Sequence, residues 1–368
     1  MMSGKTSSNA SNNSLPYGQR LVNLDIIRFI AAFSVLIYHY KSKFCTSLPE
    51  TSVLSQNVYS ITKFGYLGVD LFFLISGFVI FASANNRTAI QFLISRATRI
   101  LPTFWVCLVI TTFVLLSIGT EGSKISIFSF LANFFLVHEY VNQPAVDGVY
   151  WTLITELKFY ACVFLLILLG GFKYYRAWIL LWLAATLCFF VCEQPSFMGW
   201  FISPYYSPYF ISGIIFYLAK KEGYTLYNLL ILSISLPLAL YNGYITIDSF
   251  AKDVSIADKV IADLLICLFF FIFYLISKDK LQVKERRFWL LLGGITYPLY
   301  LLHNLMGKVI YDELHEYLPS FILLALITLC MVLASLFIHT KLERRISDRL
   351  KSFLIGYTVK LQKKEAVT

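Results

Sequence analysis

Charge is scarce in this sequence. Of its 368 residues only 14% are Asp, Glu, Lys or Arg, against about 25% in a soluble globular domain. With 58% hydrophobic residues and a mean hydropathy of +0.69, too few polar side chains remain to face water. Soluble enzymes, secreted disulfide scaffolds and disordered proteins are excluded together. No C-x-x-C pair occurs among the seven cysteines. Cys107, Cys162, Cys188, Cys192, Cys267 and Cys330 lie in apolar runs, where a thiol serves as a small hydrophobe, so neither a zinc site nor a redox motif is supported. The five histidines show no ligand spacing, and no metal is expected. There is no internal repeat and no separate soluble domain. Residues 1–20, rich in Ser and Asn, lack the charged start of a signal peptide. The apolar run after them lacks a small-residue cleavage site, so it reads as a retained first span behind a disordered tail.

What the sequence has in abundance is long apolar runs. A helix needs about 20 mostly apolar residues to cross a bilayer. Ten segments qualify, at 22–41, 66–84, 100–118, 150–170, 176–192, 205–219, 225–242, 257–277, 289–310 and 319–340. They predict an all-α polytopic membrane protein with about ten transmembrane helices, located in a cell membrane as a multi-pass protein. The stretch 125–137 is apolar but short and reads as an interfacial or re-entrant piece. An even count puts both termini on one side. The N-tail, loops 85–99, 171–175, 220–224 and 278–288, Arg176 and the C-tail from Lys341 hold 22 of the 31 Lys and Arg. By the positive-inside rule both termini are cytoplasmic. The net charge of +10 is the same bias, and no nucleic-acid partner is expected. Residues 341–368 form a basic cytoplasmic tail, read as a helix on the inner leaflet and its lipids. Residues 21–340 form the membrane domain between the two tails.

An ionisable residue inside a span costs roughly 2.5–3.5 kcal/mol on insertion scales and is a functional candidate by default. The first span carries Arg28 and His39. Eleven residues apart, they share one helix face about 16 Å apart, with Ala31, Ala32 and Val35 between them leaving space for a slot. The bland alternative has Arg28 snorkelling to the inner headgroups and His39 in the outer interface. Topology sorts the other candidates into two groups. His39, Asp70, Glu156 and His303 map to the outer half, with Thr152 and Tyr160 flanking Glu156 and with Tyr297, Tyr300 and His303 on an i, i+3 ladder. Arg28, Arg96 and Arg99 map to the inner side, where they suit an anionic ligand arriving from the cytoplasm, although two Arg before a span also serve as plain topology signals. Arg96 and Arg99, spaced i, i+3, would share a face if helical. Lys158 lies about 200° around the helix from Glu156 and is not its natural partner. Asp263 and Lys308 show no obvious role. Tyr205, Tyr206, Tyr209 and Trp200 read as an interfacial aromatic belt, with stacking on sugar rings as the alternative.

Five blocks of sequence resemble the integral-membrane acyltransferase type 3 family, bacterial O-acetyltransferases of surface sugars. LDIIRFIAAFSVLIYHY resembles the family's opening Arg, ten residues, then His, here Arg28 and His39. GYLGVDLFFLISGFVI carries Asp70, Ser76, Gly77 and Phe78. FLISRATRILPTFW carries Arg96, Arg99 and Pro102. YWTLITELKFY carries Trp151, Glu156, Phe159 and Tyr160, and YPLYLLHN carries Tyr300 and His303. The blocks occur in family order and cover about residues 20–310. The resemblance implies an acetyl-CoA dependent O-acetyltransferase, with acetyl-CoA as donor substrate and a cell-surface or lipid-linked glycan, such as lipopolysaccharide or an exopolysaccharide, as acceptor. It implies His39 and Glu156 as catalytic residues, with Glu156 orienting or stabilising the imidazole. Arg28, Arg96 and Arg99 would bind the donor, and Asp70, Ser76, Tyr300 and His303 would serve substrate binding or structure. Two departures stand out: Lys158 is basic where relatives often carry a polar or acidic residue, and no esterase-like domain follows the last span, so such a partner would be a separate periplasmic protein. The competing class is a secondary transporter or flippase of an anionic solute or lipid-linked sugar. It should show paired broken helices or repeat symmetry.

Overall fold

The computed structural model describes residues 22–40, 53–118, 125–192, 199, 202–284 and 286–365. The expected tail 1–20, Lys41, Lys43 and Trp200 lie outside the described residues. Fourteen α-helices of eight residues or more occur among them: α1 Val22–Tyr38, α2 Val53–Thr62, α3 Gly68–Ala84, α4 Ala89–Ser117, α5 Ile127–Phe134, α6 Trp151–Leu168, α7 Tyr175–Val191, α8 Ser207–Glu222, α9 Leu226–Phe250, α10 Ile256–Ser277, α11 Arg287–Leu302, α12 Leu305–Leu314, α13 Ser320–Phe337 and α14 Arg344–Glu365.

Among the described residues, seven helical segments are long and apolar enough to cross a membrane: Gln56–Ala84, Ala89–Ser117, Gly148–Leu168, Gly171–Val191, Leu226–Phe250, Ile256–Ser277 and Ser320–Thr358. The protein is therefore a multi-pass, all-α membrane protein. Three more segments expected as spans correspond to α1 (17 residues), α8 (16 residues) and the pair α11–α12. That last segment is not one helix, because the chain breaks at His303–Asn304. The 125–137 stretch forms only the eight-residue α5, about 12 Å long, too short to cross.

Local chemistry sets the helix ends. Thr88 caps α4 in a reciprocal capping box with Gln91, and Ser255 does the same for α10 with Asp258. The early start of α4 corrects the expected loop 85–99: Arg96 and Arg99 lie within a 29-residue helix, one face apart by i, i+3. The helix begins there because Thr88 supplies a cap a full three turns before the apolar run. The last span likewise does not end near residue 340. It continues through a π-helical turn at Ile338–Glu343 into α14, where the Ser347 hydroxyl donates to the Thr98 carbonyl of α4 at 2.8 Å.

Burial identifies the centre of the bundle. Two-thirds of the α3 span is buried (67%), against 22% for α7. Helix α3 packs most closely on α8, and two glycines make this possible: a Cβ on Gly77 would run into the Phe210 carbonyl, and one on Gly213 into the Leu74 carbonyl. Backbone thus meets backbone, the small-residue contact that membrane helices use in place of a hydrophobic driving force. A second close pair is α1 with α11, where Gly293 lies against Asp25. Outside the α3–α8 seam, Lys63 forms an ion pair with Asp258 at 2.7 Å, tying the 3₁₀ turn Lys63–Leu67 to the start of α10.

Candidate active site

Helix α1 carries one polar cluster at each end. Its last regular residue is Tyr38, and His39 and Tyr40 follow in a π turn. The widened turn adds a residue to the helical repeat and redirects the side chains; such turns recur at functional sites. The His39 ring packs on His303, with ring centroids 5.1 Å apart, and on Tyr38, also at 5.1 Å. His303 is fully buried. Its Nδ1 lies 2.8 Å from the Tyr300 carbonyl oxygen. A carbonyl only accepts, so Nδ1 carries a proton. Among the described residues the buried Nε2 has no hydrogen-bond partner.

An open cleft lies beside His39. Its walls include His39, Asp70, Trp151, Tyr206, Asn242 and Asn304. Asp70 is buried on the same wall as Tyr209, whose hydroxyl donates to the Ala239 carbonyl at 3.3 Å. Tyr66 stacks on Phe250 at 4.7 Å, and Trp151 lies against Tyr206 at 5.1 Å. Tyr205, Tyr206 and Tyr209 line this cleft, which corrects the reading of them as an interfacial belt. They turn inward because Ser203 begins a tight turn that leads directly into α8. Aromatic faces with a carboxylate and amides are what a hydroxylated ring needs for stacking and hydrogen bonding. The Thr152 hydroxyl donates to the Val149 carbonyl at 2.8 Å, so the Tyr300 hydroxyl, 3.0 Å away, is the donor to Thr152 Oγ1.

The second cluster lies toward the other end of α1. The Glu156 Oε1 accepts hydrogen bonds from the Ser76 hydroxyl at 2.7 Å and the Tyr160 hydroxyl at 2.8 Å. The Arg96 guanidinium lies 6.0 Å from the rings of both Phe92 and Tyr160, and its buried Nε has no partner. Arg28 pairs with Asp25 at 3.5 Å and lies within electrostatic reach of Arg99, Glu156 and Tyr160. Three guanidiniums thus stand near two carboxylates. The geometry brings Glu156 and Ser76 together with the arginines, and brings His39 together with His303, Tyr300 and Asp70. Lys158 turns to Glu139 at 4.0 Å, leaving the surroundings of Glu156 cationic through the arginines alone. Among the described residues no group of three or more His, Cys, Asp or Glu is arranged to hold a metal.

Sequence reasoning missed Asp147 and Asn304. Asp147 is a single carboxylate in a long connection, with no periodic pattern around it. Asn304 was visible only as the residue after the histidine in YPLYLLHN. Asp147 is fully buried and accepts from the Asn304 side-chain amide at 2.6 Å, the Leu305 amide at 2.8 Å and the Val149 amide at 3.1 Å. Burial pushes its carboxyl above the ordinary aspartate range, and the three N–H donors offset part of that rise.

No solved structure matches the chain. Among curated proteins, "Exopolysaccharide production protein ExoZ" of Rhizobium meliloti (strain 1021) is 30% identical over 105 residues, 26% of this chain and 32% of that protein. The chain thus matches about a third of that relative's length. Residues 21–340 match the model of the acyltransferase domain of the type 3 acyltransferases, and with most of its length inside that match, the chain belongs to this family.

Proposed function

We propose that the protein is a membrane O-acyltransferase that moves an acetyl group from cytoplasmic acetyl-CoA to a sugar hydroxyl of a cell-surface or lipid-linked glycan. The observation that carries this reading is the packing of His303 on His39, which lines an aromatic cleft, about 16 Å along one helix from Arg28. We assign ten spans, with the Arg28 end cytoplasmic and the cleft facing outward, on the basis of the Lys and Arg distribution.

The unpartnered Arg96 Nε and the excess of guanidiniums suit the phosphates of a coenzyme A donor. Its thin pantetheine arm matches the Arg28–His39 separation. In the cleft, the lone pair of an imidazole takes the proton of the acceptor hydroxyl as its oxygen attacks the acyl carbon. The C–S bond breaks, and the imidazolium returns the proton to the departing thiolate. Alternatively His39 attacks the acyl carbon first, the C–S bond breaks to release the thiolate, and the acceptor hydroxyl then attacks the acyl-imidazole, breaking its N–C bond and returning the imidazole. His303, packed on the His39 ring, is a candidate to orient it. Tyr300 borders the same cleft, and its hydroxyl is a candidate for stabilising the oxyanion. Glu156 holds the donor cluster through Ser76 and Tyr160. Asp70 and the tyrosines bind the acceptor. An esterase-like periplasmic protein is the expected partner for relay to the final glycan.

The test is transfer of label from acetyl-CoA in sealed membranes. Label should reach glycan in the wild type and fall to background in an inserted His39→Ala protein. Wild-type transfer by that variant overturns the proposal. The broken helix α11–α12 also suits a transporter, so solute uptake in proteoliposomes without acyl transfer would favour that rival.

A further inference from the structure

We infer that Asp147 is a positioning residue that holds both imidazoles of the His39–His303 pair. Helix α12 begins immediately after the break, yet its own N-cap residue, Asn304, makes no side-chain cap bond. The task passes to Asp147, 157 residues earlier, which accepts the first amide of α12, that of Leu305, and the Asn304 side chain. A carboxylate at a helix N-terminus is favoured by the free N–H groups there, and this one acts across the chain instead of locally.

The consequence for the histidines is geometric. The chain segment 147–152 grips the segment 300–305 at both ends, through Asp147 on Asn304 and Leu305 and through Thr152 on Tyr300. His303 lies between the two grips, and the Tyr300 carbonyl holds its Nδ1. The same helix start backs the other ring. A Cβ at Gly307 would lie 2.6 Å from the Tyr40 hydroxyl, so the first turn of α12 closes against the π turn that carries His39. Asp147 is itself fixed from behind. The buried Asn133 of α5 donates to the Pro144 carbonyl at 2.9 Å and accepts from the Val146 amide at 2.9 Å. The short helix α5 thus serves as the footing for the residue that sets the break.

Asp147 need touch neither substrate, which separates its expected signature from that of a binding residue. The kinetic arm rests on the acyl-transfer reading above; the structural arm does not. In the structural arm, His39→Cys with His303→Cys is cross-linked by a short thiol-specific reagent, with and without Asp147→Asn or Asp147→Ala. The 39–303 product should form readily with Asp147 present and fall at least several-fold without it. In the kinetic arm, Asp147→Asn should lower kcat roughly 30-fold, the scale of one lost charge-assisted bond, with KM for donor and acceptor within twofold of wild type. Asp147→Asn with Asn304→Asp, which swaps the partners, should recover most of the loss. Equal cross-linking in all backgrounds overturns the inference, as does a kcat unchanged in Asp147→Asn. If wild type transfers no acyl group, the acyltransferase reading fails and the cross-linking alone decides the role of Asp147.

Discussion

The two ends of α1 are built in opposite ways. The arginine end is assembled from the middles of regular helices: Arg28 on α1, Ser76 on α3, Arg96 and Arg99 on α4, Glu156 and Tyr160 on α6. The histidine end is assembled from irregularities: a π turn at His39, a break at His303, and a buried loop carboxylate at Asp147. Long cationic side chains reach a flexible anion from a regular helix. A reaction that requires two rings in a fixed relation needs backbone placed more closely than an unbroken helix allows.

If that contrast is functional, substitutions at the two ends should fail differently. His39→Ala should lower turnover by about 10³-fold with little change in donor binding; a change confined to donor KM would erase the distinction. Arg96→Ala with Arg99→Ala should raise donor KM on the order of 100-fold and leave acceptor KM nearly unchanged; the reverse would move the phosphate site elsewhere. Glu156→Gln tests which end Glu156 serves. Grouped with the arginines, it should raise donor KM about 10-fold, whereas a loss in kcat alone would attach it to the histidines. Tyr206→Ala should raise acceptor KM a few-fold and spare the donor.

The smallest effect concerns pH and stability. The Asp147 carboxyl is held above its ordinary range by burial. The native state therefore keeps this proton to higher pH than the unfolded chain does. Its contribution to stability is complete below the ordinary aspartate range and is lost as pH rises through the raised value. Thermal melts in detergent should show that slope in the wild type, and Asp147→Asn should flatten it.

Much of the arginine end was legible in the sequence, because i, i+3 and i, i+4 spacing predicts shared helix faces. Arg96 with Arg99 and Glu156 with Tyr160 follow from that rule once the helix is known. Its start was missed because the capping box at Thr88 lies among polar residues that hydropathy treats as loop. The histidine end was legible only as separate residues. His39 and His303 could be named, but nothing in a one-dimensional pattern brings them to 5.1 Å or shows that the α11–α12 span breaks at His303–Asn304. Asp147 left no trace, since a buried carboxylate bonded to backbone amides looks in sequence like any loop aspartate. The aromatic residues before α8 misled for a related reason: Tyr and Trp at a span end suit a membrane interface and a cleft wall equally, and only the turn at Ser203 decides.

The glycine contact between α3 and α8 bears on how the two compartments communicate. With carbonyls standing where side chains would otherwise cushion the seam, Gly77 and Gly213 fuse these helices into a single rib. A rocking protein would have to pry that rib apart or carry it whole. On the acyl-transfer proposal that rib makes the central scaffold a fixed frame, past which the slender carrier of the acyl group would travel while the polypeptide stays put.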